Sequence, residues 1–279
     1  MSLRYGYVSN GFLDHSLEQM VQVLSRFGYE GIGITLDHAH LDPFHVTDRR
    51  LAAIGKLLEE RSLTPVIETG ARYYLDPFRK HRPSLVSVDK EGRRTRTRYY
   101  LRAIEIGAQL GASCVSLWSG TPQQGVDPEK SWDRLASGVK ELCTRAEAEG
   151  MTIAFEPEPG MFVESMADYA ELRERVDHSA LSLTLDLGHV AITESPPFAE
   201  SIVEWAPHIA NVHIEDIRDR EHVHLPFGEG NLDFPPLVAA LRQIDYRGLV
   251  LVELSRNNAD APLQAQRSII ALRNAEAHS

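Results

Sequence analysis

The chain has 279 residues, 43 % hydrophobic and 25 % charged, enough for a substantial core and the ordinary balance of a soluble globular fold. Its formal net charge of −11 disfavours a broad electrostatic grip on nucleic acid, and its apolar runs are too short to span a bilayer. The first residues show neither an apolar signal core nor an Arg/Ser-rich transit pattern, so a cytoplasmic location is expected by default. The two cysteines, Cys114 and Cys143, lie in an apolar run and a helical pattern and read as core residues, without metal or disulfide spacing.

Short β-rich runs alternate with stretches of helical period. The expected strands are 4–8, 31–36, 64–68, 114–118, 152–156, 181–186, 210–214 and 249–254. Between the first two, Leu17, Val21, Leu24 and Phe27 mark a helix stopped by Gly28, and after the second, Leu51, Ile54, Leu57 and Leu58 share one helical face. Further helices are expected over 96–110, 128–149, 166–176, 198–205, 236–244 and 262–274, with Gly111 and Gly150 as C-terminal stops. Eight strands, each near-continuously apolar and each followed by a helix, predict one (β/α)8 TIM-barrel domain over residues 1–279. An open doubly wound sheet is the runner-up, and no Gly-rich nucleotide motif follows the first strand to support it.

In a parallel barrel all C-terminal strand ends share one face. Glu156, Asp186, His213 and Glu253 end the last four strands and therefore converge there. Three carboxylates and an imidazole suit one divalent cation such as Mn²⁺, Co²⁺, Mg²⁺ or Zn²⁺, and such a cluster without a cation would repel itself. Glu158, two residues beyond Glu156, is the alternative ligand, and Glu156 is preferred because it directly ends its strand.

Asp186-x-x-His189, His213-x-x-Asp216, the segment His224-Leu-Pro-Phe-Gly-Glu-Gly-Asn-Leu-Asp233, and Glu253 in Val-Glu-Leu complete the pattern. Across essentially its whole length the chain resembles the sugar-phosphate isomerase/epimerase superfamily with the xylose-isomerase-like barrel. That group includes ketose 3-epimerases, hydroxypyruvate isomerase, inosose dehydratase and, more distantly, endonuclease IV. The resemblance implies metal ligation by Glu156, Asp186, His213 and Glu253. It also implies acid/base roles for Glu156 and Glu253, and contact of His189 with a substrate oxygen. It further implies a carbohydrate-like small-molecule substrate and, as a general habit of the group, self-association. Isomerisation or epimerisation through an enediolate is the first expectation, and dehydration of an inosose-like or acidic substrate the second. DNA repair of the endonuclease IV type is disfavoured, because Trp118-Ser119 stand where that enzyme has a metal-binding histidine after strand 4.

The remaining polar residues of the functional face leave alternatives open. Arg72 and Lys80 either contact an anionic substrate group or pair with Glu68 or Asp76. The basic stretch 80–98, with Arg82, Lys90, Arg93, Arg94, Arg96 and Arg98, is either a solvated loop and helix start or a source of anion contacts. Trp118 walls the pocket or lines the barrel, and His38 or His40 contacts the sugar or is a loop histidine. His81 is open in the same way. His224 and Glu158 are assigned to substrate, His222 to a loop or core position, and Asp216 to orienting a ligand or an arginine. Tyr7 and Asn10 close strand 1 as weak pocket candidates.

Overall fold

Side chains alternate along a strand, so a ring of strands sorts its residues into an inner and an outer set. The computed structural model describes residues 2–279 and shows this sorting in a closed ring of eight parallel strands in sequence order. They are β1 (Arg4–Val8), β2 (Gly31–Thr35), β3 (Thr64–Glu68), β4 (Cys114–Leu117), β5 (Thr152–Phe155), β6 (Leu181–Asp186), β7 (Ile209–Ile214) and β8 (Leu249–Val252). Val8, Val66, Cys114, Ala154, Leu249 and Leu251 pack together as the apolar plug inside the ring. The larger core lies between the strands' outer faces and the surrounding helices. Glycine makes the tight packing at β1 and β2 feasible: a Cβ on Gly31 would lie 2.3 Å from a Leu249 methyl.

The helices are α1 (Leu17–Phe27), α2 (Asp48–Glu60), α3 (Lys90–Leu110), α4 (Pro128–Ala148), α5 (Met166–Val176), α6 (Leu187–Thr193), α7 (Ala199–Trp205), α8 (Phe234–Gln243) and α9 (Ala261–Ala277). No described helix is long and apolar enough to cross a membrane. Ser16 and Gln19 cap α1 reciprocally, and Gly28 ends it in the left-handed region. Two differences from the sequence expectation have local causes. Helix α3 begins at Lys90 rather than near residue 96, because Asp89 accepts the backbone N–H groups of Glu91 and Gly92. The extra helix α6 follows β6 without a linker, because Asp186 ends the strand and also caps the helix through the His189 N–H. Both cysteines are buried and free, and burial pushes their thiols up to about 12.

One member of the basic stretch is structural. Arg96 is 1 % exposed, and its Nε donates to the Pro83 carbonyl at 2.7 Å. A second nitrogen donates to the His81 carbonyl at 3.3 Å. Its guanidinium lies 5.0 Å from the Trp118 ring centroid and 5.3 Å from those of Tyr99 and Tyr100. Arg96 therefore ties the β3–α3 loop to the barrel wall through carbonyls and ring faces, with no ion pair among the described residues. Replacing it with methionine keeps most of the volume and strands those carbonyls. R96M is expected to lose about 2–4 kcal/mol of unfolding free energy, read as a lower urea midpoint at unchanged slope.

Candidate active site

Period-two alternation explains how the key side chains reach the barrel axis. Glu68, Glu156, Asp186, His213 and Glu253 each stand two residues beyond an inward residue: Val66, Ala154, Thr184, Asn211 and Leu251. His213 Nδ1 lies 3.2 Å from Glu156 Oε1, 3.1 Å from Glu253 Oε2 and 3.8 Å from Asp186 Oδ2. One donor atom from each of the four residues falls within 4.8 Å of all the others. On its far side the imidazole is fixed by Nε2, which donates to Glu68 Oε1 at 3.0 Å, and Asn211 supports the same oxygen at 3.2 Å. With Nε2 so held, loss of the Nδ1 proton would turn a lone pair toward the carboxylates, the arrangement by which an outer carboxylate orients a metal-binding histidine. Asn10 donates to Glu253 Oε1 at 2.7 Å. Asp186 spends Oδ1 on the His189 N–H at 2.8 Å, and its Oδ2 is buried without a hydrogen-bond partner.

The local electrostatics identify what the cluster lacks. Burial raises the Glu156 carboxyl well above its ordinary range, Glu253 and Asp186 add to this, and His213 opposes it. Burial opposes charge on His213 too, but Glu68 and Glu156 outweigh it and hold the imidazolium well above its ordinary value. Burial likewise raises Glu253 and Asp186, yet the neighbouring histidines bring both below the usual carboxylate range, with Asn10 helping at Glu253. At separations below 4.8 Å, each like-charge pair costs roughly 3–4 kcal/mol at an effective dielectric of about 20. One imidazolium offers three attractions to offset three repulsions, leaving the desolvation of the ions uncompensated. A divalent cation doubles each attraction and leaves His213 neutral. The donor set and the unpartnered Asp186 oxygen therefore fit such an ion.

Residues 21–275 match the family described as xylose isomerase-like TIM barrel. The chain belongs to that family. An inosose dehydratase of Lacticaseibacillus casei is 29 % identical over 150 residues, 48 % of this chain and 50 % of the relative. The chain thus spans about half the length of the inosose dehydratases it matches. An L-ribulose-5-phosphate 3-epimerase of Salmonella paratyphi C is 24 % identical over 249 residues, 88 % of this chain and 84 % of the relative. The crystal structure of an IOLI protein with a bound zinc atom superposes with a TM-score of 0.80 at 19 % identity, covering 99 % of this chain and 98 % of the other.

In this xylose isomerase-like barrel Glu156, His213 and Glu253 line a cavity of about 160 Å³, and Asp186 stands behind them against His213. Glu158, His189, His224, Arg72, Lys80 and Trp118 line it, as do His81, Asn10 and Glu68. His189 Nδ1 donates to the Pro157 carbonyl at 3.2 Å, so its Nε2 is the acceptor that faces His222 Nε2 at 3.1 Å. His224 Nδ1 donates to the Glu253 carbonyl at 3.2 Å. The rings of His189, His222 and His224 meet, and their donor atoms form a second group within 4.8 Å. Burial first, then the neighbouring imidazoles, hold His189 and His222 below their ordinary values, His222 at about 4. Burial and then Glu253 raise Glu158 to about 8.

Other expected residues lie elsewhere. The His38 side chain is 71 % exposed, pairs with Asp42 at 3.3 Å and does not line the cavity, because the loop after β2 turns it outward. The buried His40 ring is held by the Phe12 and His15 carbonyls at 3.2 and 3.0 Å. Tyr7 packs against Phe12 and Tyr29 in the core. Arg72 pairs with neither Glu68 nor Asp76 and donates instead to the Ser255 carbonyl at 3.1 Å. Glu68, His222 and Arg256 are site residues that sequence reasoning missed. The period-two step from Val66 and the His222-x-His224 spacing were the available signals for the first two.

Asp216 orients neither a ligand nor an arginine. Its carboxylate accepts the N–H groups of Ile217, Gly228 and Gly230 at 2.9 Å each, and of Leu232 at 3.1 Å. A Cβ on Gly230 would lie 2.3 Å from Asp216 Oδ1, so the glycines of this segment let the loop fold onto the carboxylate. The clamp shapes the segment that carries His222 and His224. D216A is expected to destabilise the fold by about 2–4 kcal/mol in urea unfolding. It should also open residues 217–233 to limited proteolysis before the barrel itself is cut.

Proposed function

We propose that this chain is a divalent-metal-dependent isomerase or epimerase of a small sugar or related polyhydroxy carbonyl compound. The observation that carries the reading is the quartet Glu156, Asp186, His213 and Glu253, gathered at ligand distance with one buried Asp186 oxygen unpartnered. The zinc atom of the structural neighbour supports the choice of a divalent ion, and the 3-epimerase among the sequence relatives supports the reaction class. Mn²⁺, Co²⁺, Mg²⁺ and Zn²⁺ all suit three carboxylates and an imidazole. When bound, the ion supplies positive charge that stabilises the oxygens of a carbonyl compound as the adjacent carbon loses its proton.

The chain's own residues supply the rest. Glu156 and Glu253 reach the centre from β5 and β8, so one carboxylate takes the proton from the carbon beside the carbonyl while the other group delivers one to the opposite face or the neighbouring carbon. The proton count is conserved, and no redox cofactor is required. His189 and His224 offer ring nitrogens to substrate hydroxyls. Trp118, edge-on to His81 at 4.8 Å, closes the wall and limits water. The inosose dehydratase match favours a second reading, in which the same proton abstraction is followed by loss of a β-hydroxyl. A mass loss of one water in the product separates the two.

With metal added, solvent deuterium is expected to enter the carbon beside the carbonyl of at least one member of a ketose panel. No exchange by metal-loaded protein across a broad panel would overturn the proposal. E156Q and E253Q are each expected to lower kcat by about 10³-fold or more while circular dichroism shows an intact fold. Chelation should abolish exchange, and restoring metal to about 100 times its Kd should return about 2.7 kcal/mol of stability. E68Q keeps all four ligands but weakens the restraint on His213. It is expected to lower metal affinity about 10–100-fold by calorimetry.

A further inference from the structure

The cavity has a second pole, opposite in charge to the quartet. Arg72, Lys80 and Arg256 all line it. Two backbone contacts bring them together. The His81 N–H donates to the Arg72 carbonyl at 2.6 Å, which closes the β3–α3 loop and sets Lys80 beside Arg72. Arg72 in turn donates to the Ser255 carbonyl at 3.1 Å, which places Arg256, the next residue, against the same pair. The buried Arg96 holds the far end of this loop through the His81 and Pro83 carbonyls. Among the described residues none of the three cations makes an ion pair, although exposed arginines elsewhere in the chain do so repeatedly, as does Lys56. Burial first, then the charges of Arg72 and Arg256, hold the Lys80 ammonium below its ordinary value against the pull of Glu158. Three adjacent cations without an ion-pair partner, with Glu158 as the nearest opposing influence on Lys80, are to an anion what the quartet is to a cation.

Resting on the reading of this cavity as the substrate site, we infer that the substrate is itself an anion: its carbonyl end lies at the Glu156–Glu253 pole, and a phosphate or carboxylate group lies between Arg72, Lys80 and Arg256. Both groups present coplanar or clustered acceptor oxygens that match guanidinium donors. All three side chains are exposed to solvent, so a neutral ketose would leave them to water whereas an anionic group would meet them directly.

The test has a binding arm and a kinetic arm, on metal-loaded wild type, K80M and R256M. In the first, inorganic phosphate and acetate are titrated by calorimetry. Wild type is expected to bind at least one of them, and each variant to bind it at least tenfold more weakly at unchanged metal content. In the second, deuterium exchange is measured on matched sets: a ketose, its terminal phosphate ester, and the corresponding sugar acid. The kcat/KM ratio of anion over neutral compound is expected to exceed ten in wild type and to fall at least tenfold in either variant. Preference for the ester or for the acid identifies the anionic group. Anion binding that depends on Lys80 and Arg256, without exchange on any compound, supports the anion site and overturns the proposed reaction. Exchange on neutral ketoses with a ratio near one, or anion affinity that the variants do not change, overturns the anion site and leaves the reaction standing.

Discussion

Three carboxylates and one imidazole within 4.8 Å of one another in a buried site repel and lose water together, so positive charge or bound protons must offset them. Much of the upper barrel is arranged around that constraint. Glu68 and Asn211 fix the ring of His213, Asn10 holds Glu253, and Asp186 divides its oxygens between the start of α6 and the centre. Glu215 shows the same crowding one layer out. His224 Nδ1 lies 3.6 Å from its Oε1, and burial, then Asp186 and Glu253, raise its carboxyl well above the ordinary range. That upward shift favours the uncharged form of Glu215 beside the quartet. Gly188 is required above it, since a Cβ at that position would lie 2.0 Å from Glu215 Oε1.

The barrel and the quartet were legible in the sequence for one geometric reason. Strands have period two, their C-terminal ends share a face, and an acid or histidine directly after an apolar run therefore points into the mouth. What was hidden depended on loops, which have no period. His38 and Arg72 follow their strands in the same manner, yet the chain turns one outward and the other inward. Asp216 carries the right chemistry for a site, but it lies an odd number of residues past His213 and serves the backbone of the following loop. Helix α6 escaped notice because Asp186 is at once strand end, cap and candidate ligand, so no polar break announces a helix. Glu68 obeys the period-two rule as well as Glu156 does. Strand 3 lies apart from the four consecutive strands that carry the quartet, so its sequence position alone left Glu68 as an ion-pair partner for Arg72 or Lys80.

The two halves of the barrel divide the labour. Strands β5 to β8 supply the carboxylates and the imidazole, and their positions are set by strand register, including the Asp186–His213 pairing of β6 with β7. The cationic pole comes from loops, two of its residues from the β3–α3 connection and one from the segment after β8. Register holds a side chain in place through the sheet's own hydrogen bonds, which suits groups that must meet at one point. A loop tolerates substitution and insertion without disturbing the sheet, which suits groups that select among substrates.

That division requires the loop to be rigid where it matters, and Arg96 meets this requirement. A charge buried at 1 % exposure without a carboxylate partner is costly unless carbonyls and ring faces replace its water. Here the Pro83 and His81 carbonyls and the faces of Trp118, Tyr99 and Tyr100 do so. Trp118 also lines the cavity, so a single side chain links the wall of the pocket to the loop that carries Arg72 and Lys80. The basic stretch of the sequence thus contains two kinds of cation with opposite fates. Arg96 is consumed by the fold, and its consumption positions Lys80, which remains available to a ligand.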